Sequence, residues 1–508
     1  MATATDDNGR SKKRKAPSAN DNGDDLSHNC PYLDTVNRSA LDFDFEPSCS
    51  VSLESGPHVY ACLVCGKFFR GRGKHTPAHT HSVEEGHFIF VHLLKGTFHC
   101  LPDDYEVIDS SLADISASLH PTFSDADVKR LQSDNSSNTG LLARDLFGKQ
   151  YLPGFVGLNN LNKTDYVNAA IQALAHVPPL RDFFLRRTHL DVVVGKSKVS
   201  KKKNKNNGKV TTKTKPAPRM SPLAQAFGEL IRKMWSDKRF KSHVDPHMLI
   251  QAVSVASSKR FRVGQQAEIG EFMAWFLHQL HIGLGGTRKP GSSIIHEVFQ
   301  GKVRVTTVEE ADENPNGKED ENNKDDRGGS DAEDEDDGDG KANRSNQDQT
   351  MIDSNGKDDK ATKETDLVET TTDTHFLQLS LDIPEKPLFR DEDGGLVIPQ
   401  EPLVNVMKKF DGVTFADAVS RSGKAQQRKY QLLELPQYLI LHLSRFKSNN
   451  YSREKNPTIV AFPVKNFDLS NYVHKPNGRE KAPTEDEVRA MNVSWFGPID
   501  MFVRSLFV

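Results

Sequence analysis

Cysteine is scarce in this 508-residue chain and is confined to its N-terminal part. The five cysteines are Cys30, Cys49, Cys62, Cys65 and Cys100, and no thiol follows residue 100. This distribution excludes a disulfide framework and a cysteine nucleophile from the rest of the chain. Any thiolate metal site must therefore lie in the first hundred residues.

Long apolar runs are also missing. No stretch reaches the roughly 18 consecutive apolar residues that a membrane-spanning helix needs, and the N-terminal sequence MATATDDNGRSKKRK lacks the apolar core of a secretory signal. The sequence therefore predicts no membrane partner. With 36% hydrophobic and 27% charged residues, a chain of this length can form two domains with cores of their own.

Charge is segregated although the formal net charge is only -3. Residues 1–26 are polar, and we predict a disordered tail whose KKRK cluster at 12–15 indicates nuclear import, with a solvated tail as the alternative. A basic block at 196–219 and an acidic block at 309–366 interrupt the later chain. Neither block has enough apolar residues to fold, so we predict disordered surface insertions.

The remaining sequence divides into two globular regions. Residues 27–126 combine clustered Cys and His with aromatic residues and glycine-rich turns, which predicts a small first domain. A linker at 127–150 follows, and 151–508 forms the second, larger domain around the two insertions.

Periodicity within the larger domain predicts both helices and strands. Ser221 and Pro222 begin an amphipathic helix with apolar residues at helical spacing, and a second such helix begins near Ile269. Alternation predicts strands at 299–305 and 377–383. The segment 438–443 is apolar on both faces apart from His442, which predicts a central strand covered on both sides.

The small domain contains a metal-ligand pattern. Cys62 and Cys65 are followed by His81 and His87 with the spacing C-x2-C-x15-H-x5-H. Two thiolates from one turn and two imidazoles from a later segment suit tetrahedral zinc, so we predict zinc as the cofactor. The glycines and proline inside the long gap argue against the finger that reads nucleic acid with a helix.

Two alternatives stay open at this point. His75 and His79 lie in the same loop, and either could replace one of the two predicted histidine ligands. Cys30, Cys49 and Cys100 are interpreted as small buried side chains, with a second zinc site beside His99 as the alternative.

The amino-acid sequence around these ligands resembles that of the zinc finger of ubiquitin proteases. The segment CLVCGKFFRGRG followed by HSVEEGH matches its pattern, and the resemblance implies one zinc on Cys62, Cys65, His81 and His87. Arg70 precedes the Gly-Arg where members with more zincs carry Cys, and Pro77 stands where many carry His. These differences imply a single zinc and argue against the binding of the ubiquitin C-terminus found in some members.

The segment from Gly157 to Gln172, GLNNLNKTDYVNAAIQ, resembles the cysteine box of the ubiquitin-specific proteases. A thiolate at a helix start with an upstream Asn donor to the oxyanion carries the chemistry of that box. Here Asn160 is retained, while Asp165 occupies the nucleophile position. Asp is a common residue at a helix start, which explains it without catalysis. We predict no catalytic residue.

The likeness continues through QQAEIGEF at 265–272 and LPQYLILHLSRF at 435–446. It implies an α+β chain: a small UBP-type finger, then a papain-like protease fold with a helical thumb and β-rich palm and fingers. The amino-acid sequence is similar to that of family members that act in pre-mRNA splicing. The resemblance therefore implies a nuclear, non-catalytic scaffold of the spliceosomal tri-snRNP, with tri-snRNP proteins as partners and RNA as a further partner of the basic block. A module with weak ubiquitin binding is the alternative, and an active deubiquitinase is least favoured. Oligomeric state is not predicted.

The C-terminal part departs from the family pattern. A histidine box should follow the palm strands, but after Tyr472 the chain offers only His474, in a polar loop. We therefore expect a C-terminally truncated fold and hypothesise a truncated or mis-joined coding sequence. A transcript that is continuous over residues 491–508 as given would contradict this hypothesis.

Overall fold

The computed structural model describes the chain in segments separated by gaps. The described residues are 30–133, 142–186, 198–203, 210–215, 220–310, 367–385, 389–390, 396–419, 425–448, 453–463, 467–474 and 492–493. The predicted tail at 1–26 and nearly all of the acidic block lie outside these ranges. Helices and strands are both present, as the α+β prediction requires. No helix within the described ranges is long and apolar enough to cross a membrane.

The small domain is built on a five-stranded antiparallel sheet. In spatial order β2-β1-β3-β4-β5, its strands are β1 (Val59–Cys62), β2 (Phe68–Arg70), β3 (Ile89–His92), β4 (Phe98–Cys100) and β5 (Tyr105–Val107). Helix α1 (Pro77–Glu84) and helix α2 (Ala113–Leu119) accompany the sheet, as do short 3-10 helices at Leu33–Thr35, Arg38–Ala40 and Ser110–Leu112.

Both faces of this sheet are covered. Because side chains alternate along a strand, β1 directs Val59 and Ala61 into a core shared with α2, and Tyr60 and Cys62 into a second cluster beside α1. All four residues of β1 are buried. The metal-ligand pattern therefore begins on a rigid central strand.

The larger domain opens with a helical layer. Its helices are α3 (Asp125–Ser133), α4 (Asp165–Ala175), α5 (Pro178–Leu185), α6 (Pro222–Trp235), α7 (His247–Ala256), α8 (Ile269–Gly283) and α9 (Ile294–Phe299). The two helices predicted from periodicity are confirmed as α6 and α8. The Ser221 hydroxyl caps α6 by accepting from the Ala224 N–H. Phe227 and Phe276 meet edge to face with ring centroids 5.3 Å apart in the shared core.

A β-rich region follows the helices. The described strands of the larger domain are β6 (Ala143–Arg144), β7 (Gln150–Tyr151), β8 (Gly157–Leu158), β9 (Lys198–Lys203), β10 (Val210–Lys215), β11 (His243–Val244), β12 (Gly301–Glu310), β13 (Leu367–Phe376), β14 (Leu379–Asp382), β15 (Phe389–Arg390), β16 (Leu396–Val397), β17 (Gln400–Pro402), β18 (Asp411–Val419), β19 (Ala425–Glu434), β20 (Leu441–Ser444), β21 (Phe446–Ser448), β22 (Arg453–Lys455), β23 (Ile459–Ala461), β24 (Phe467–Asp468) and β25 (Asn492–Val493). The longest of these strands form the sheet β13-β12-β19-β18, in which Val305 lies opposite Thr372 on one side and Tyr430 on the other. Helix α10 (Leu403–Val406) and a 3-10 helix at Met407–Phe410 pack in this region.

Two strand predictions were wrong in their bounds. The predicted central strand at 438–443 begins only at Leu441, because the Tyr438 N–H donates to the Val298 carbonyl at the end of α9 instead of to a strand. The strand β20 is half-buried, and among the described strands it pairs in parallel with β14 alone. Phe299 belongs to the end of α9, and the strand predicted there starts at Gly301.

Two predictions about the organisation of the larger domain also differ from the structure. Within the basic block at 196–219, β9 and β10 pair as an antiparallel hairpin, where we predicted no regular structure. Helix α3 crosses the predicted start of the linker at 127, and its Val128 is fully buried in the core of the larger domain. The chain between the domains is therefore partly integrated into the larger one.

The two domains contact each other through residues 42–46 of the finger. Asp42 and Asp44 form ion pairs with Lys241 and Lys233 of the larger domain. The Gln251 amide donates to the Glu46 carboxylate at 2.7 Å. The finger is thus held against helices α6 and α7.

Candidate functional site

The metal-ligand pattern forms a cluster in the small domain. Cys62 ends β1, Cys65 lies in the turn before β2, His81 is on α1 and His87 follows α1. One ligand atom from each of the four side chains lies within 4.8 Å of the others. Cys62 is buried, and the other three are half-buried. The structure thus brings together all four residues that the spacing singled out.

The turn that carries the two cysteines ends at a glycine, which follows Cys65. Gly66 has φ of +75°, and its N–H donates to the Cys62 carbonyl at 2.9 Å. A Cβ at this position would lie 2.0 Å from the Ala40 carbonyl oxygen. Only glycine satisfies both constraints, and the turn then directs both sulfurs to one side.

The distances within the cluster identify the nitrogen atom that each histidine directs toward the other ligand atoms. The Cys65 Sγ lies 3.4 Å from His81 Nε2, and His81 Nε2 lies 3.1 Å from His87 Nδ1. The His81 ring stacks on Phe69 with the centroids 4.2 Å apart, which fixes the ring plane. His75 and His79 are not part of the cluster among the described residues.

The protonation of this cluster depends on whether a cation is bound. Without one, burial raises the pKa of Cys62 to about 12 and the nearby Cys65 opposes a negative charge there, so a bound cation is needed to hold both sulfurs as thiolates. Burial lowers the pKa of His81, so that its imidazole is neutral near pH 7. Two sulfurs and two neutral imidazoles are the ligand set of a structural zinc site, where the cation takes the place of the thiol protons.

The other cysteines form no second metal cluster in the described part of the chain. Cys30 and Cys100 share the core between the sheet and α2, while Cys49 lies in a separate buried turn. The only group of three or more close Cys, His, Asp or Glu ligands in the described ranges is the cluster at Cys62. The described residues therefore offer no second zinc site beside His99.

In the larger domain, Asp165 is the first residue of α4 and is exposed. Its Oδ2 accepts a hydrogen bond from the Gln266 amide at 3.2 Å. A carboxylate in the first turn also interacts favourably with the helix dipole. These contacts give Asp165 a structural role at the helix start.

Asn160 is fixed by the same loop. Its Oδ1 accepts from the Thr164 N–H at 3.1 Å and from the Thr164 hydroxyl at 3.2 Å. Asn162 and Lys163 between them have φ of 73° and 55°, so the chain makes a tight left-handed turn before α4. The side-chain oxygen of Asn160 thus stabilises this turn through its hydrogen bonds with Thr164, and Thr164 is buried.

A contact between a carboxylate and an imidazole, which the sequence did not predict, lies close to Gln266 in the chain. Glu268, the N-cap of α8, lies 3.2 Å from His442 Nε2 on β20. A Cβ on Gly270 would lie 2.4 Å from the His442 ring, which shows how tightly α8 packs on β20. The sequence signal was the single polar residue in an apolar strand.

Comparison with protein families gives two matches. The family model described as "Ubiquitin carboxyl-terminal hydrolase" matches residues 156–486. The model described as "Zn-finger in ubiquitin-hydrolases and other protein" matches residues 49–112, which contain the cluster at Cys62. The finger is of the UBP type, and zinc is its metal.

Similar proteins cover most of the chain. "Ubiquitin carboxyl-terminal hydrolase 39" of Mus musculus is 40% identical over 453 residues, which span 89% of this chain and 69% of that protein. "Probable mRNA-splicing protein ubp10" of Schizosaccharomyces pombe is 37% identical over 87% of this chain and 73% of its own length. "Pre-mRNA-splicing factor SAD1" of Saccharomyces cerevisiae is 25% identical over 85% of this chain and 76% of its own length.

A solved structure has the same fold. The structure described as "Crystal structure of an essential yeast splicing factor" matches with a TM-score of 0.56 at 21% identity. The match covers 87% of this chain and 84% of the solved chain.

Proposed function

Because this chain belongs to the ubiquitin carboxyl-terminal hydrolase family and carries Asp165 in the loop where the nucleophile is expected, we propose that it is a non-catalytic scaffold of the spliceosomal tri-snRNP. It works in the nucleus during pre-mRNA splicing. The small finger and the protease-like domain provide surfaces for tri-snRNP proteins, and the basic block adds phosphate contacts to RNA.

The relatives support the splicing assignment. The fission yeast and budding yeast proteins carry splicing in their names, and each aligns with both domains of this chain. An alignment across both domains means that the arrangement of finger and larger domain is shared, not only one module. This supports a common role for the whole unit.

Asp165 carries the non-catalytic part of the proposal. A carboxylate that attacks an amide would form a mixed anhydride, which is a poor route to hydrolysis. In addition, the Asp165 carboxylate accepts a hydrogen bond from the Gln266 amide, and the side-chain oxygen of Asn160 accepts one from the Thr164 N–H. Both side chains thus stabilise the loop that leads into α4.

We assign Cys62, Cys65, His81 and His87 as the zinc ligands. The donor set and the distance of at most 4.8 Å between ligand atoms support this assignment. Bound zinc would supply structural cross-linking between β1, the following turn and α1, since all four positions are taken by protein ligands. The finger would then present its surface as a rigid body.

Affinity purification of the tagged protein from nuclear extract tests the proposal. We expect tri-snRNP proteins and their RNAs to co-purify with wild type and with Asp165→Ala. Nuclease treatment before purification separates protein partners from those retained through RNA. Recovery of no spliceosomal component would contradict the proposal.

Ubiquitin binding without catalysis is the second candidate function, and the match of the finger to ubiquitin hydrolases favours it. Titration of labelled ubiquitin against the full chain decides between the two. Binding that requires the terminal Gly-Gly of ubiquitin would support the second candidate. If the signal of labelled ubiquitin does not change, the second candidate is excluded and only the scaffold function stands.

A further inference from the structure

The hairpin in the basic block forms a sheet of its own. Among the described strands, β9 (Lys198–Lys203) and β10 (Val210–Lys215) pair only with each other. An isolated two-stranded hairpin is at best marginally stable in water. The pairing of these two strands therefore requires a stabilising contact that the strands do not supply themselves.

The charge of the hairpin makes it still less stable alone. Residues 196–219 contain ten lysines and arginines and no acidic residue. The register places Lys198 directly opposite Lys215. Like charges at directly opposite positions destabilise a pair of strands. A polyanion would remove this repulsion, so a surface of negative charge is the contact that suits the hairpin best.

The lysines are divided unequally between the two faces of the hairpin. Because successive residues of a strand belong to opposite faces, the register assigns every residue of the two strands to one face or the other. One face, which we call the lysine face, consists of Lys198, Ser200, Lys202, Thr211, Lys213 and Lys215. The opposite face consists of Val199, Lys201, Lys203, Val210, Thr212 and Thr214. Every residue of the lysine face is of a type that donates hydrogen bonds to phosphate oxygens, whereas the opposite face includes two valines.

The composition of the block also indicates which form of RNA suits it. Residues 196–219 include no aromatic residue. Proteins that bind single strands without sequence preference stack the bases on aromatic side chains. Duplex RNA is instead recognised mostly through its phosphates and 2′-hydroxyl groups. A face of lysine, serine and threonine provides such contacts and no stacking, which favours duplex RNA.

We propose that the lysine face of the β9–β10 hairpin binds the phosphate backbone of double-stranded RNA without reading its sequence, and that this binding stabilises the hairpin. The inference rests on the proposed function, which assigns RNA to the basic block, and it adds the face that binds and the form of RNA that is bound. The strands form a regular ladder because the duplex neutralises the lysines that oppose each other.

Two double variants of the full chain, each lacking two positive charges, test the proposal. Lys213→Gln with Lys215→Gln changes the lysine face, and Lys201→Gln with Lys203→Gln is the matched control on the opposite face. Binding of a fluorescently labelled RNA duplex of arbitrary sequence is measured by anisotropy at several salt concentrations. We expect the first variant to reduce the slope of log affinity against log salt by about 2 and to weaken binding by at least about tenfold, and the control to change both far less.

A loss of binding by the first variant cannot be explained by a weaker hairpin. Replacement of Lys215 removes the repulsion with Lys198, so the free hairpin should become more stable. Equal losses of RNA affinity in the two double variants, or tighter binding of a single strand than of the duplex, would overturn the proposal.

Hydrogen exchange provides a second measurement. The backbone amides of β9 and β10 should exchange more slowly in the full chain when the RNA duplex is added, because binding stabilises the hairpin. Exchange that is already slow without RNA, and becomes fast when residues 311–366 are deleted, would show that the acidic block occupies the lysine face and would overturn the proposal. Co-purification of tri-snRNP proteins after nuclease treatment tests the scaffold function separately, since it does not depend on RNA.

Discussion

Asp44 of the finger and Lys233 of helix α6 form an ion pair across the domain contact, with Asp44 Oδ1 2.9 Å from Lys233 Nζ. Their side chains are only 13% and 17% exposed. Lys233 also donates to the Phe43 carbonyl at 2.6 Å, and the Asp44 Oδ2 accepts from the Asp245 N–H at 3.1 Å. The pair thus has further partners on both sides of the contact, which holds the finger in one orientation.

Removal of either partner should loosen the domain contact. We expect Asp44→Asn and Lys233→Met each to lower the free energy of unfolding in urea, with a coupling energy of about 1–3 kcal/mol in the double-mutant cycle. The pair Asp42 and Lys241 is the control, since its side chains are 26% and 34% exposed and its coupling should be smaller. Additive effects for Asp44 and Lys233 would contradict this account of the interface.

The same pair should make stability depend on acid pH. Burial alone would raise the pKa of Asp44, but the charge and hydrogen bond of Lys233, together with the Asp245 N–H and the charge of Arg239, outweigh it and leave the pKa below the usual 3.8. A depressed carboxylate pKa stabilises the folded state above the unfolded value, and this contribution is lost as pH falls through the folded value. Wild type should therefore lose more stability than Asp44→Asn between about pH 5 and pH 2. Parallel stability curves for the two proteins would exclude this role.

Loss of a zinc ligand should unfold the finger. Cys62→Ser and His87→Ala should reduce the zinc content from one per chain to near zero and lower the melting temperature, because the cluster links β1 to the chain on both sides of α1. His75→Ala, which removes an exposed histidine of the same loop, should leave zinc content unchanged. Metal content by mass spectrometry of the purified proteins is the measurement. Zinc retained by His87→Ala but lost from His75→Ala would move the site to the alternative ligand.

Close packing between α8 and β20 gives another prediction. Gly270→Ala places a methyl group 2.4 Å from the His442 ring and should destabilise the larger domain by about 1–3 kcal/mol. Gly157→Ala is the control, because nothing lies within 4 Å of a Cβ there. Urea titration of both variants decides. Equal stabilities would mean that α8 and β20 separate more easily than the structure indicates.

Sequence spacing predicted the local features of this protein well. The spacing singled out Cys62, Cys65, His81 and His87, and the structure brings these four side chains together because one turn and one helix position them. Helix α6 was found because Ser221 and the apolar stripe are local signals. The strand at 438–443 was misplaced because the Tyr438 N–H bonds to α9, a tertiary contact without a local signal.

The contacts between distant segments could not be predicted from the sequence. The Asp44–Lys233 pair and the Glu268–His442 pair each join residues that only the complete fold brings together. Acidic residues and single histidines are common throughout protein sequences, so neither signals its partner in advance. The functional conclusion had a local signal instead, since the segment around Asp165 resembles a known motif and the structure adds only that Asp165 begins α4.

The most direct test of the central claim is splicing of a reporter pre-mRNA in nuclear extract depleted of this protein. We predict that wild type and Asp165→Ala restore splicing equally, since the protein acts through its surfaces and not through a nucleophile. Cys62→Ser should restore less, because the finger is then unfolded. A failure of Asp165→Ala to restore splicing, with its stability and its co-purifying partners unchanged, would contradict the account.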